Sequence, residues 1–396
     1  MQARNAAPSA GGSGAPGRSA PAAVFDTLVQ IPETRTMRTV KVPLGERSYS
    51  IVIGRRVADR TGRACEKLGF ATRCAVITDE QVGPRHSPRV LESLRKAGFD
   101  PVLLTIPAGE PAKNLKQVEA LYHELAAHQL ERRSCLVALG GGVVGDVAGF
   151  VAGTYLRGLP LVQLPTTLLA QVDSSVGGKT GVNLPAGKNL VGTFHQPRLV
   201  LCDLATLDTL PEREFRAGIA EVIKYGIIRD AAFFNQIEND LDRLLGREEA
   251  TLGAVVARSC EIKAEVVARD ETEAGLRAIL NFGHTIGHAL EAITGYSQYL
   301  HGEAIAIGQV AAARLSSRLA GLPEAEVERI RALFDRVGLP TEVQLSAAQK
   351  KNLLQAMQLD KKVSGGRFKF VVVEAIGQVR WGVPVPEKAV LEALSA

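Results

Sequence analysis

Hydrophobic residues in the first half of the chain occur in short runs rich in β-branched residues. These runs predict strands at Cys74–Thr78, Pro101–Ile106, Cys135–Leu139 and Leu161–Leu164. Between them, segments such as Leu115–Ala127 and Val143–Thr154 place apolar residues three and four positions apart, as amphipathic helices do. This alternation of strand and helix predicts βαβ units and a mostly parallel sheet.

The pattern changes near Leu204–Leu210, after which long segments with a helical repeat dominate. The predicted helices are Glu214–Ile228, Glu249–Ala268, Thr285–Thr294, Glu303–Leu319 and Glu324–Val337. Two late extended segments, Arg367–Val373 and Gln378–Val383, predict a small ribbon. We therefore expect an α/β domain over residues 37–207 and an α-helical domain over residues 208–396.

Residues 1–36 are rich in Ala, Gly, Pro and Ser and contain few residues able to form a core, so we expect a disordered N-terminal extension. The segment lacks the continuous apolar stretch of a secretory signal. Because it contains arginine and few acids, a resemblance to an organelle transit peptide stays open.

Composition excludes several classes of protein. The chain has 396 residues, enough for two to three domains of about 150 residues. No apolar run is long enough to span a membrane, and a net charge of +5 with 5% aromatic residues argues against a nucleic-acid binder. The five cysteines include no CxxC pair and fit a reducing compartment, so we expect a cytoplasmic protein.

A glycine-rich turn follows the predicted strand Cys135–Leu139. The segment Gly140–Asp146 satisfies GxGxxG between a strand and a helix, the context in which the motif binds a dinucleotide pyrophosphate. The acid expected about 20 residues further on is missing, because nothing acidic lies between Asp146 and Asp173. Asp146 is therefore the candidate for contacts to the nucleotide sugar. A turn that serves only tight packing is the alternative.

A second glycine-containing stretch carries two lysines. Gly178–Thr180 resembles the end of a P-loop, but Asp173 stands where a P-loop has its leading glycine, so we exclude that motif. Lys179 and Lys188 remain candidate partners for phosphate or hydroxyl groups. Solvated surface lysines are the alternative.

Histidines crowd into one short stretch of the second half. His284 and His288 are four residues apart on a predicted helix and share a face, and His301 stands just before the next helix. Glu221 is an acid in an apolar helical segment, with Lys224 one turn later. These residue types suit a divalent metal site with an open position. Structural histidines and a salt-bridged helix face are the alternatives, and spacing alone does not join Glu221 to His284.

Taken together, these segments resemble the 3-dehydroquinate synthases, a family within the sugar-phosphate cyclases. The resemblance covers nearly everything after Met37. It rests on these strings in one order: GGGVVGDVAGFVAGTYLRG, LPTTLLAQVDSSVGGKTGVN, GKNLVGTFHQP, TLDTLPEREFRAGIAEVIKYG, LNFGHTIGHA and LHGE.

The resemblance implies a lyase of the shikimate pathway, which leads to chorismate and the aromatic amino acids. Its reaction would convert 3-deoxy-D-arabino-heptulosonate 7-phosphate to 3-dehydroquinate and phosphate by transient oxidation with NAD, phosphate elimination, re-reduction and intramolecular aldol closure. It also implies an α/β NAD-binding domain, an all-α metal and substrate domain, and Zn²⁺ or Co²⁺. The implied protein is a homodimer with a small sugar-phosphate substrate, and neither nucleic acid nor membrane is a partner.

The family's functional residues can be carried over motif by motif. The implied metal ligands are Glu221, His284 and His301, which leaves His288 as a proton-transfer group. The other implied catalytic residues are Lys179, Lys224, Asn189 and Asp173. The implied substrate contacts are Lys263, Arg277, Asn281, Lys361 or Lys362, and Arg157, which would reach the neighbouring subunit's site. The implied cofactor contacts are Asp79, Gly109, Glu110, Lys113, Gly142, Val143, Val144, Gly145, Asp146, Thr166, Thr167, Lys179, Lys188, Thr206, Leu207, Asp208 and Thr209.

Three other functions share parts of this pattern. A cyclase acting on a sugar phosphate without a carboxylate would have little use for both Lys263 and Arg277. A metal-dependent polyol or alcohol dehydrogenase would share the glycine turn and the helical metal domain, and net NADH release would identify it. A non-catalytic binding protein would be expected to have lost site residues, whereas every position carried over holds a suitable residue.

Overall fold

The computed structural model describes residues 37–359, 363–364 and 367–395. The predicted disorder of residues 1–36 falls outside this range, and so do Lys361 and Lys362.

The first part of the chain forms a parallel sheet. Its strands are β1 (Arg38–Val42), β2 (Tyr49–Gly54), β3 (Arg73–Asp79), β4 (Asp100–Ile106), β5 (Cys135–Gly140), β6 (Leu161–Pro165), β7 (Lys179–Leu184), β8 (Gly187–Phe194) and β9 (Leu199–Asp203). Seven of them form one sheet in the order β1-β2-β9-β6-β5-β3-β4, in which β1 is antiparallel to β2 and the other pairs are parallel. β7 and β8 form a separate antiparallel hairpin. The predicted strands correspond to β3, β4, β5 and β6.

Helices cover both faces of the sheet, which explains why the central strands read as continuous apolar runs. These helices are α1 (Thr61–Lys67), α2 (Gly83–Lys96), α3 (Leu115–Ala127) and α4 (Gly142–Thr154). On one face Val137 of β5 belongs to a core with Leu94 of α2, and on the other Leu136 belongs to a core with Leu121 and Val147. Every residue of β5 is buried.

The order of the strands fixes where a ligand can bind. The chain leaves β3 for the edge strand β4 and then returns to β5, on the other side of β3. Crevices at such a switch point, beyond the carboxyl ends of parallel strands, are where open α/β sheets bind ligands. Asp79 ends β3 and Gly140 ends β5, so the glycine-rich turn lies at this position.

The second part is helical. Its helices are α5 (Glu212–Arg229), α6 (Ala231–Asn239), α7 (Leu241–Leu245), α8 (Glu249–Arg269), α9 (His284–Ile293), α10 (His301–Ala320), α11 (Glu324–Val337), α12 (Ala347–Leu359) and α13 (Glu387–Ser395). A small antiparallel sheet accompanies them: β10 (Val363–Ser364), β11 (Arg367–Ala375) and β12 (Gln378–Val385). β11 and β12 confirm the predicted ribbon, so the helical domain includes one small sheet. The expected fold class is confirmed.

One hydrophobic core joins the two parts. It includes Ile51 of β2, Cys202 of β9, Ile219 and Val222 of α5, and Val256 of α8. Because α5 is buried along most of its length, polar side chains on it lie inside the protein. No helix in the described ranges is both long enough and apolar enough to cross a bilayer.

Candidate active site

Three helices bring metal-ligating side chains to one point. Glu221 lies in the middle of α5, and His284 and His301 are the first residues of α9 and α10. Their ligand atoms all lie within 4.8 Å of one another. Nε2 of His284 is 3.4 Å from Oε1 of Glu221, and Nε2 of His301 is 3.9 Å from the same oxygen. The structure thus joins the acid to the histidines, which spacing alone could not do.

A glycine lets α9 start close to α10. Gly283, just before His284, has a φ of 76°, in the left-handed region that favours glycine. A β-carbon there would lie 2.4 Å from Cγ of Gln309 and 2.7 Å from its main-chain nitrogen. The sharp turn and the close approach together place the His284 ring beside the start of α10. The ring centroids of His284 and His301 are 5.6 Å apart.

Both histidines turn the same ring nitrogen toward Glu221. The Nδ1 atom of His284 is 3.0 Å from the main-chain oxygen of Phe282, and Nδ1 of His301 is 3.2 Å from Oε2 of Glu291. An acceptor on the outer nitrogen fixes the tautomer of a metal-binding histidine. In each ring Nε2 is therefore the nitrogen that faces the third candidate ligand.

Burial and neighbouring charges set the ionisation of this cluster. Burial, together with the charge of Lys224, lowers the pKa of His284 well below its usual value and favours the neutral, ligating form. Burial opposes the charged form of His301, but the hydrogen bond and charge of Glu291 outweigh it and raise the pKa of His301. Burial likewise opposes ionisation of Glu291, yet His301 and Lys188 lower the pKa of Glu291 to about 2.

Glu221 is completely buried, and its carboxylate needs positive partners. The ammonium of Lys224 pairs with Oε2 one turn along α5. Within the described part of the chain, neither carboxylate oxygen of Glu221 accepts a hydrogen bond. The other oxygen, Oε1, faces two imidazoles, and together they form a donor set of the kind that binds a catalytic divalent cation.

His288 lies one turn after His284, with ring centroids 5.2 Å apart, and its side chain is exposed. His288, Glu291 and His301 form a second group of ligand atoms within 4.8 Å of one another. Two candidate donor sets thus share His301. The buried carboxylate oxygens of Glu221 without hydrogen bonds favour the set that contains Glu221 and His284.

Cationic side chains surround Asp173, which lies in a π-helical turn over Ala170–Ser174. The Lys263 ammonium donates to Oδ1 of Asp173 at 2.7 Å, and the Tyr225 hydroxyl donates to it at 2.8 Å. Nζ of Lys224 is 4.0 Å away. Burial raises the pKa of Asp173, but the two lysines outweigh burial and hold it well below its usual value. Asp173 is therefore a partly buried anion between Lys263 and Lys224, two of the predicted site cations.

Two further predicted substrate residues meet an acid that the sequence did not single out. Asn281 donates to Oε1 of Glu273 at 2.9 Å, and Lys179 forms an ion pair with Oε2 of the same residue. Arg277 is buried and donates to the main-chain oxygens of Glu271 and Gly177. Glu273 thus links Lys179 of β7 to the segment that precedes α9.

The predicted cofactor residues gather at the carboxyl edge of the parallel sheet or on the hairpin beside it. Those at or just beyond the carboxyl ends of β3, β4, β5, β6 and β9 are Asp79, Gly109, Glu110, Lys113, Gly142, Val143, Val144, Gly145, Asp146, Thr166, Thr167, Thr206, Leu207, Asp208 and Thr209. Lys179 and Lys188 lie on β7 and β8. The side chains of Val144 and Leu207 belong to the core, so these two residues offer only backbone groups to a ligand.

Several of the predicted cofactor residues form ion pairs or hydrogen bonds with one another or with the β7–β8 hairpin. Lys113 forms an ion pair with Asp146. Burial raises the pKa of Asp146, although the charge of Lys113 acts to lower it. Asn183 donates to Oε1 of Glu110 at 2.7 Å. Nζ of Lys188 lies 3.7 Å from that same oxygen. The turn after β4, the start of α4 and the hairpin therefore form one polar surface.

Two predicted residues do not join the clusters described above. Asn189 is exposed on β8, and Arg157 is exposed after α4. Their side chains form no hydrogen bond or ion pair with any residue that the structure describes. Sequence reasoning also missed Glu291, although it follows His288 by three positions and so lies on the same helix face.

The chain is similar to known proteins over nearly all its described length. Residues 103–217 match the 3-dehydroquinate synthase N-terminal family model, and residues 218–363 match the C-terminal model. A 3-dehydroquinate synthase of Desulforamulus reducens is 49% identical over 91% of this chain and 100% of its own length.

Two solved structures share the whole architecture. A 2-deoxy-scyllo-inosose synthase in complex with carbaglucose-6-phosphate, NAD⁺ and Co²⁺ is 27% identical, with a TM-score of 0.81 over 90% of this chain and 99% of that one. A 2-epi-5-epi-valiolone synthase of Streptomyces hygroscopicus with NAD⁺ and Zn²⁺ is also 27% identical, with a TM-score of 0.80 over 88% and 96%. Both family models match this chain in order, and the chain covers the full length of the Desulforamulus reducens relative. The protein therefore belongs to the 3-dehydroquinate synthase family.

Proposed function

We propose that this protein converts 3-deoxy-D-arabino-heptulosonate 7-phosphate to 3-dehydroquinate and phosphate, with NAD and either Zn²⁺ or Co²⁺ as cofactors. The observation that carries the proposal is the meeting of Glu221, His284 and His301 at one point, with Lys224 linking Glu221 to the Asp173–Lys263 pair. Membership of the family supplies the reaction, and this cluster supplies groups able to perform it.

Glu221, His284 and His301 are the proposed metal ligands. Their fit rests on the buried carboxylate oxygens of Glu221 that accept no hydrogen bond from the described residues, and on the outer partners that aim both Nε2 atoms inward. These residues would hold a divalent ion, which would supply Lewis-acid stabilisation of negative charge on substrate oxygens.

The glycine-rich turn and the residues along the carboxyl edge of the sheet are the proposed NAD site. Gly142 begins α4 at the switch point between β3 and β5, where unpaired main-chain N–H groups and the helix dipole favour a pyrophosphate. Asp146 follows the first turn of α4, and Lys113 forms an ion pair with it. These residues would hold NAD, which would supply reversible hydride transfer.

The substrate carries a carboxylate and a phosphate, and the site is rich in cations. Lys263 and Arg277 are the proposed carboxylate contacts, both buried, and Lys179, Asn281 and one of Lys361 and Lys362 are further proposed contacts. A cyclase for a substrate without a carboxylate would have little use for two buried cations at this position. Lys263 and Arg277 thus favour a 3-dehydroquinate synthase over the two 27% identical cyclases.

His288 is the proposed proton-transfer group. It is exposed, and its ring lies 5.8 Å from that of His301 by centroid distance. Because the imidazole lies beside the ligand rings and opens to solvent, it can take a hydroxyl proton as the substrate is oxidised and release it to water. Asp173 orients Lys263, Lys224 pairs with Glu221, and Asn189 completes the proposed catalytic set.

We further propose a domain boundary between residues 207 and 208, a cytoplasmic location and a homodimer. Arg157 would contribute to the neighbouring subunit's site. Its exposure, and that of Leu156 beside it with 40% of its surface accessible, support a partner at this loop. Leu156 and Arg157 also have positive φ angles of 50° and 68°, which is uncommon outside glycine.

An assay of the purified full chain with NAD and Zn²⁺ tests the reaction. We expect equal amounts of phosphate and 3-dehydroquinate from 3-deoxy-D-arabino-heptulosonate 7-phosphate, and no net NADH in the steady state. NADH accumulating in step with product would instead indicate a dehydrogenase. Turnover of sedoheptulose 7-phosphate without turnover of the carboxylate substrate would indicate the rival cyclase.

A further inference from the structure

Glu291 is a buried acid on α9 whose two oxygens face two different elements. Oε2 lies 3.2 Å from Nδ1 of His301, the first residue of α10. Oε1 lies 3.2 Å from Nζ of Lys188 on β8. Only 5% of Glu291 is exposed, whereas the side chains of Lys188 and His301 are each 28% exposed.

The contact to His301 is on the side of the ring opposite Glu221. Nε2 of His301 faces Glu221, and Nδ1 faces Glu291. In His284 the main-chain oxygen of Phe282 occupies the corresponding position at Nδ1. The main chain thus orients one imidazole, whereas the other depends on a side chain that a substitution can remove.

We propose that Glu291 is a positioning residue for the metal centre: it holds the imidazole of His301 with Nε2 toward Glu221. The inference rests on the proposed metal ligands Glu221, His284 and His301. A carboxylate at the outer nitrogen of a ligating histidine fixes its orientation and strengthens it as a donor, and losing one typically weakens metal binding by 10–100-fold.

Lys188 explains how a carboxylate can be kept in this position. Its ammonium partners Oε1 of Glu291, lies 3.7 Å from Oε1 of Glu110 and lies 3.9 Å from the centre of the Tyr296 ring. The hairpin strand β8 therefore supplies the positive charge that a buried carboxylate needs. The Glu291 side chain alone therefore connects Lys188, a proposed NAD contact, to His301, a proposed metal ligand.

The alternative is that Glu291 binds the metal itself, together with His288 and His301. The two arrangements differ in the residues they need. If Glu291 positions His301, His284 is essential for metal binding and His288 is not. If Glu291 is a ligand, this dependence is reversed.

The experiment measures Zn²⁺ affinity of the metal-free full-length protein by competition with a chromogenic chelator. Glu291→Gln keeps the size of the side chain and removes its charge, and we expect Zn²⁺ to bind about 10–100-fold more weakly. Glu303→Gln is the matched control: Glu303 lies two residues after His301, but its carboxylate faces Arg213 and the main chain of Leu300. Zn²⁺ affinity of Glu303→Gln should equal that of the wild type.

Further variants keep the outcome interpretable. Glu291→Asp retains the charge with a shorter reach, and we expect an affinity between those of the wild type and Glu291→Gln. The Co²⁺ absorption spectrum of Glu291→Gln should change as well, because the ligand geometry is altered. Unaltered Zn²⁺ affinity and Co²⁺ spectrum in folded Glu291→Gln would overturn the inference, as would a loss in Glu303→Gln equal to that in Glu291→Gln.

Two histidine variants separate this inference from the proposed function. Loss of Zn²⁺ in His284→Ala with retention in His288→Ala would support the proposed ligand set, whatever Glu291→Gln does. The reverse pattern would show that Glu291 belongs to the donor set with His288, and it would overturn both the positioning role and the proposed ligands.

Discussion

Gly302 of α10 lies directly against the main-chain oxygen of Ala217 in α5: a β-carbon built on Gly302 would be 1.8 Å from that oxygen. His301 precedes Gly302 in the chain, and Glu221 follows Ala217 by one helical turn. The contact between the two backbones is therefore what brings the His301 imidazole within 3.9 Å of the Glu221 carboxylate.

Gly302→Ala should push α10 away from α5 and weaken metal binding. No flexible side chain can move to relieve the clash, because the contacted atom belongs to the backbone of a buried helix. We expect the free energy of unfolding to fall by roughly 1–3 kcal/mol, as overpacked cores typically show. Zn²⁺ affinity should fall by about tenfold or more, as when a ligand loses its support. Denaturant unfolding and chelator competition measure the two effects.

Gly253→Ala is the matched control for this substitution. Gly253 is also a buried helical glycine, but the nearest atom to an added β-carbon is Cδ1 of Leu204 at an ordinary 3.5 Å. Alanine there should preserve Zn²⁺ affinity and stabilise the helix by up to about 1 kcal/mol. Wild-type Zn²⁺ affinity in Gly302→Ala would show that the close backbone contact does not hold the centre together.

Much of the fold follows from the pattern of apolar residues. Predicted strands such as Cys135–Leu139 correspond to observed strands because helices bury both of their faces. The shared face of His284 and His288 also follows from helical spacing alone. The closeness of Glu221 to His301 does not, because it depends on a backbone contact at Gly302 between helices distant in sequence. The resemblance to a family gave that ligand set; spacing did not.

Two acids near the proposed site were not identified from the sequence. Glu291 lies on a helix and Glu273 in a turn with other acids, and in both settings acidic side chains are usually solvated. What distinguishes them is the partner each one faces, His301 and Lys188 for Glu291, and Lys179 and Asn281 for Glu273. Those partners come from other parts of the chain, so only the tertiary structure reveals them.

Lys263→Met should mainly weaken substrate binding. Lys263 is a proposed contact to the substrate carboxylate, and its ammonium already donates to the main-chain oxygen and Oδ1 of Asp173 at 2.7 Å. A hydrogen bond to a charged group contributes roughly 1.5–3 kcal/mol, so we expect KM to rise by about 10–100-fold. Steady-state kinetics on the zinc- and NAD-loaded enzyme measures this.

Lys263→Arg is the companion variant, because it keeps the positive charge at this position. Its KM should lie closer to that of the wild type, although the planar guanidinium does not reproduce the geometry of the ammonium. A large fall in kcat with unchanged KM in Lys263→Met would contradict a role in holding the carboxylate.

Asp270→Asn should destabilise the protein at neutral pH but not in acid. Asp270 follows α8 and accepts hydrogen bonds from the main-chain N–H groups of Ala274, Gly275 and Arg277 at 2.7–2.9 Å. Burial opposes ionisation, but these donors outweigh it and lower the pKa of Asp270. A group with a lowered pKa in the folded state contributes stability above its unfolded value and loses it as the pH falls through the folded value.

We therefore expect Asp270→Asn to reduce the free energy of unfolding by about 1–3 kcal/mol near pH 7. The difference from the wild type should begin to shrink below about pH 4, the ordinary pKa of an aspartate, and should disappear once the pH falls through the lower pKa of Asp270 in the folded protein. Urea unfolding of both proteins from pH 7 down to the lowest pH at which they fold measures the difference. A gap that stays constant in acid would contradict the assigned cause.

Arg157→Ala tests the proposed sharing of active sites between subunits. If Arg157 reaches the neighbouring site, a mixed dimer of Arg157→Ala and His284→Ala chains contains one site with both residues intact and one with neither. Random exchange of subunits should then restore about a quarter of wild-type activity from two nearly inactive parents, since half of the dimers are mixed and each has one working site. Activity after mixing, compared with the sum of the unmixed parents, measures the effect. No gain over that sum, with exchange verified by differently tagged chains, would mean that Arg157 acts within its own subunit or not at all.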